Sequence, residues 1–126
     1  MTITEFLLAR IAEDEGVARA AARDGERWRT LPEDYRLAVA IDNGTAWGGE
    51  PVAYDEGCPS EEQSAHIASH DPARVLAECK AKREIVRLHA TDADCREARN
   101  RHGCETLIAL VEVFSDHPDF RSEWVA

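Results

Sequence analysis

The rhythm of apolar positions along the chain changes twice. From about Thr4 to Asp24, Leu7, Ile11, Ala18 and Ala21 recur at helical spacing with Phe6, Leu8, Val17 and Ala22 beside them, which predicts an amphipathic first helix. Glu13-Asp14-Glu15 interrupts the stripe, and Gly16 weakens the helix by about 1 kcal/mol relative to alanine. Asp14 falls near the centre of the stripe. A carboxylate there either finds a partner or reaches water from a half-buried face, and the second is expected because Asp is seldom fully buried.

Between Gly25 and Gly57 the period shortens to two. Arg27 to Leu31 alternates, and Leu37-Ala38-Val39-Ala40-Ile41-Asp42 sets Leu37, Val39 and Ile41 on one face of a strand. Asn43-Gly44 is a strong hairpin signal, because both residues tolerate positive φ. Pro51 to Tyr54 reads as a returning strand that starts at its proline. Trp28 and Trp47 are expected to pack between sheet and helix.

The helical period then returns. Ser60-Glu61-Glu62-Gln63 is a capping box that opens a short helix to about Ser69. Asp71-Pro72 ends that segment and starts a longer helix to about Ala90, with Val75, Leu76, Cys79, Val86 and Ala90 as its stripe. After a polar connection, Cys104 to Phe114 forms the last helix, with Leu107, Leu110, Val111 and Phe114 facing the core. Asp116-His117-Pro118 stops it, and Trp124 anchors the tail. The fold class is α+β: an N-terminal helix, an antiparallel sheet of about three strands, then three helices packed as a bundle, in one domain over residues 1–126.

Composition narrows the function classes. With 25 acidic and 15 basic residues the formal net charge is −10. That disfavours general nucleic-acid binding and docking on anionic membranes, both of which need cations. A protein partner is expected instead. The N-terminus lacks a basic start followed by an apolar run, so a cytoplasmic protein is expected, its four cysteines serving as thiols or metal ligands.

Three segments resemble a known family. They are Ile11 to Ala21, His66 to Leu76 running into Ala81 to Ile85, and Cys104 to Leu107 with Ser115 to Trp124. Together they resemble a family of short proteins common in actinobacteria and their phages, a domain of unknown function numbered 6221. The resemblance implies no activity. It implies that the His-Asp-Pro-like elements belong to a shared architecture, and that relatives carry a Cys-x-x-Cys pair where this chain has Cys95, His102 and Cys104.

Three constellations bear on chemistry. His89, Cys95, His102 and Cys104 lie between the ends of the last two helices and form an acceptable tetrahedral zinc set, although their spacing is irregular and solvent-facing histidines with ordinary thiols are the alternative. His66 and His70 share a helix face at the spacing of helical metalloproteases, but Ile67 stands where the general-base glutamate would follow, so a packing role at the helix corner is expected. Asp14 with His70 or His117 could form an acid–base pair if they meet. No complete catalytic set is present. The expected function is therefore a non-catalytic accessory or protein-interaction role, with a zinc-stabilised module and, less favoured, a small hydrolase as alternatives.

Overall fold

The computed structural model describes residues 1–32, 37–90, 95 and 103–126. Its elements are α1 (Ile3–Ala21), β1 (Trp28–Thr30), β2 (Leu37–Ile41), β3 (Pro51–Tyr54), α2 (Glu61–Ser69), α3 (Pro72–His89) and α4 (Glu105–Glu112), with short 3₁₀ turns at Asp55–Gly57 and Ser122–Trp124. The protein is α+β. The chain divides into two compact units, Met1–Asp14 with Cys79–Ala126, and Glu15–Glu78.

The Glu15–Glu78 unit is built on a three-stranded antiparallel sheet in the order β1-β2-β3. β2 is the central strand, and Ala38, Val39, Ala40 and Ile41 are all buried. Large and small positions of β2 are covered alike: α2 packs against β1 and β2, and Ala40 lies against Gly48 of the loop that follows. β3 starts at Pro51, which pairs with Ala40 at the strand end, where a missing amide is tolerated.

The turn between β2 and β3 departs from the expected two-residue hairpin. Gly44 has φ 79°, but Asn43 does not adopt positive φ, and the strands are joined by a longer loop. The cause is the Asn43 side chain. Its Oδ1 accepts from the Thr45 amide and hydroxyl, and its Nδ2 donates to the Gly48 carbonyl. Local side-chain bonding of this kind competes with the hairpin geometry. Trp47 rides on the loop, 69% exposed, and does not pack between sheet and helix; Trp28 is half-buried on β1.

Two devices set the corners of this unit. Gly25 (φ 147°) follows the end of α1, and a Cβ there would meet Ile41 Cγ2 at 2.5 Å, so only glycine admits this approach to β2. Asp71 caps α3 by accepting from the Arg74 amide at 2.9 Å, and its other oxygen accepts from the Trp28 amide at 3.1 Å. The Ala73 amide donates to the Glu26 carbonyl beside it. The start of α3 is thereby tied to the start of β1. The capping box of α2 is complete, with Ser60 and Gln63 exchanging bonds as the sequence predicts.

In the unit of Met1–Asp14 and Cys79–Ala126, Leu7, Ile11, Cys79, Val86, Leu107 and Val111 are essentially fully buried. Phe6 sits among the rings of Phe114, Phe120 and Trp124, the last at a centroid distance of 5.0 Å. Trp124 therefore anchors the tail. α4 ends at Glu112, two residues before the predicted stop. Phe114, Ser115 and His117 donate to carbonyls three residues back, which tightens the last turn beyond α-helical geometry.

Candidate metal centre

His89 stands on the last turn of α3, and Cys104 is the N-cap of α4, with φ −73° and ψ 122°. Gly103 precedes it at φ 100°, a conformation that glycine adopts without a Cβ penalty, and so aims Cys104 inward at the start of the helix. Cys95 lies between them in the chain. The structure brings these three together. His89 Nδ1 is 3.5 Å from Cys95 Sγ and 3.4 Å from Cys104 Sγ, and all three ligand atoms lie within 4.8 Å of one another. Cys104 is buried, whereas Cys95 and His89 are half-buried. His102, the fourth member of the predicted set, lies outside the described residues.

The spacing has a direct reading. Zinc–sulfur bonds of about 2.3 Å and zinc–nitrogen bonds of about 2.1 Å at tetrahedral angles place nitrogen and sulfur roughly 3.6 Å apart. Both observed nitrogen–sulfur distances match that edge. Two sulfurs converging on one imidazole nitrogen also exceed what a single hydrogen bond satisfies, since one nitrogen carries either one proton or one lone pair in the ring plane.

Electrostatics point the same way. Burial pushes the Cys104 thiol above its ordinary pKa, and the neighbouring Cys95 adds to the rise, while the first-turn amides of Leu107 and Thr106 pull it down. Burial wins, so without a cation Cys104 holds its proton more tightly than an ordinary thiol does. A divalent ion would invert the balance and hold both sulfurs as thiolates. The donor set of two soft thiolates and an imidazole suits zinc or cuprous copper rather than magnesium or calcium.

The other candidates arrange themselves differently. His66 and His70 are both exposed, with ring centroids 4.2 Å apart and His70 Nδ1 2.9 Å from the His66 carbonyl oxygen. Their rings lie exposed at the helix corner rather than packed into it, where His70 is the C-cap of α2 and its amide donates to the His66 and Ile67 carbonyls. Asp14 is half-buried, in keeping with the water-reaching alternative. His117 lies in the aromatic cluster, where Arg10 Nη1 contacts its ring nitrogens and its Nδ1 accepts from the Asp119 amide. The charged group beside the His117 ring is thus the Arg10 guanidinium.

Arg10 itself is the residue that pattern reading overlooks. It is 7% exposed, lies 5.0 Å from the centroid of Phe6, and donates to Glu13. The available signal is Phe6, Arg10 and Glu13 at successive helical turns on a face that ends in aromatic company.

Fold and site together define a small α+β protein in which a His-Cys-Cys donor cluster joins the end of one helix to the start of the next. The chain belongs to a family of unknown function, DUF6221, whose family model matches residues 1–126. No curated protein and no solved structure gives a significant match.

Proposed function

We propose that this chain is a zinc-stabilised α+β module that acts as a non-catalytic accessory protein for a protein partner. The observation that carries the reading is the convergence of His89 Nδ1, Cys95 Sγ and Cys104 Sγ within 4.8 Å of one another, with both nitrogen–sulfur distances at a tetrahedral edge. His102 is the proposed fourth ligand, two residues before Cys104 in the sequence. Four protein ligands close the coordination sphere and make the ion structural rather than catalytic.

The location of the ligands explains what the ion does. It joins the C-terminal turn of α3 to the N-cap of α4 across a long polar connection, where few apolar residues are available to hold the chain. A reducing cytoplasm, where thiolates persist, is the compartment this reading requires. The net charge of −10 favours a partner with a basic face over nucleic acid or an anionic membrane. Among the described residues no helix is long and apolar enough to cross a membrane.

Metal analysis of untagged protein purified without chelators tests the proposal. One zinc per chain is expected, lost in H89A and C104S. Cobalt substitution is expected to give the intense sulfur-to-metal charge-transfer band of a thiolate site. A wild-type chain without stoichiometric metal, and with no cobalt band on titration, would defeat the reading.

A further inference from the structure

The same cluster supports a second, covalent state. Its two sulfurs share His89 Nδ1 as a neighbour and lie within 4.8 Å of each other. A disulfide needs the sulfurs at about 2.05 Å, so the gap to close is under roughly 3 Å. The two cysteines differ in freedom and access. Cys104 is fixed at the N-cap of α4 and is 2% exposed, whereas Cys95 is half-buried and lies outside any helix or strand. The other two thiols are placed differently: Cys58 is exposed and belongs to the Glu15–Glu78 unit, and Cys79 is buried on α3.

We propose that Cys95 is a hydroperoxide-sensitive cysteine and Cys104 its resolving partner, so that oxidation converts the metal centre into a Cys95–Cys104 disulfide and expels the ion. The release step rests on the metal reading above; the cysteine pairing does not. In the first step the Cys95 thiolate attacks one oxygen of hydrogen peroxide. A sulfur–oxygen bond forms, the oxygen–oxygen bond breaks, and the departing hydroxide takes a proton to become water. Cys95 has then lost two electrons to the peroxide and stands as a sulfenic acid. In the second step the Cys104 thiolate attacks that sulfur. The disulfide forms, the sulfur–oxygen bond breaks, and a second hydroxide leaves and takes a proton. In sum, two thiolates, one peroxide and two protons give one disulfide and two waters.

The metal loses two of its donors in the same event, and a neutral disulfide offers it no charge. The three-point tie between α3 and α4 becomes a two-point link that no longer includes His89.

The test uses the full chain carrying C58S, which removes the exposed thiol, loaded with zinc and treated with hydrogen peroxide. A chromogenic chelator follows released zinc while intact mass and peptide mapping follow the cysteines. One zinc released per Cys95–Cys104 crosslink is expected, with a loss of two hydrogens from the reduced chain, reversal by dithiothreitol with added zinc, and no crosslink in C95S. Zinc release with only oxygen adducts on Cys95, a crosslink through Cys79, or retention of zinc under excess peroxide would each overturn the proposal. If the purified chain holds no zinc and gives no cobalt band on titration, the metal reading fails by itself, and the metal-free chain decides the cysteine pair: a crosslink upholds it and none overturns it.

Discussion

Asp71 shows how much a single carboxylate can do when its two oxygens face different elements. One oxygen caps α3 at Arg74 and the other accepts the Trp28 amide. From the sequence alone, Asp71→Ala predicts a loss of about 1 kcal/mol for a missing cap. The structure raises that figure, because the substitution also leaves a part-buried backbone amide without its acceptor, which costs about 1–3 kcal/mol more. Urea denaturation is expected to show a loss of roughly 2–4 kcal/mol for D71A and about half that for D71S, which can restore the cap and not the link to β1. Equal losses in the two variants would refute the double role. The cap was legible because Asp-Pro before an apolar helix has a local physical cause. The bond to Trp28 was not, since it joins residues 43 apart and no local pattern encodes it. Arg10 was illegible for a related reason: a cation on an apolar stripe is buried only when the tail returns with His117, Phe120 and Trp124. Cys104 carries the residue-scale prediction for pH. Its folded pKa is raised, chiefly by burial, so the folded metal-free state holds its proton more tightly than the unfolded chain does. The associated stability is present below the ordinary thiol pKa and is lost as pH rises through the raised value. Melting of metal-free protein between pH 7 and 10 is expected to fall, with a shallower fall in C104A. Zinc binding runs in the opposite direction, because it releases thiol protons and tightens as pH rises. Parallel slopes for wild type and C104A would show that Cys104 is not the titrating group.

Among the elements, the helices whose beginnings carry caps were the ones that could be read closely. Ser60 with Gln63 and Asp71 with Pro72 give α2 and α3 their starts through bonds made within one turn. The hairpin failed for the same physical reason run in reverse, since Asn43 spends its side chain organising a longer loop. The metal cluster sits between these cases. His89 and Cys104 were recognisable as residues at facing helix ends, but their approach depends on Gly103 and on packing that spacing does not reveal. Burial separates the helices further. Leu107 on α4 is 1% exposed, whereas Leu76 on α3 is only half-buried. Leu107→Ala is therefore expected to cost about 2–5 kcal/mol and Leu76→Ala clearly less, as a cavity forms only where neighbours surround the deleted atoms. Chemical denaturation of the two variants side by side checks the order, and a reversed order would contradict the assignment of α4 to the core.

For the whole molecule, charge and metal make separable contributions. A net charge of −10 on a chain this short repels itself, and added salt is expected to raise the melting temperature by screening. Zinc at about a hundredfold excess over Kd adds about 2.7 kcal/mol. That corresponds to roughly 10 °C for a domain of this size. Binding through two thiolates adds two positive charges and removes two protons, so the net charge of the molecule is unchanged. Self-repulsion is then the same with and without the ion. The gap in melting temperature between zinc-loaded and chelator-treated protein should consequently stay constant as sodium chloride rises from low to moderate concentration, while both temperatures climb. Carboxylates on the acidic surface would behave otherwise, since they bind without releasing protons and their attraction for a cation is screened. A gap that closes with salt would place the ion on that surface; a gap that persists in salt and vanishes in C104S would place it between His89, Cys95 and Cys104.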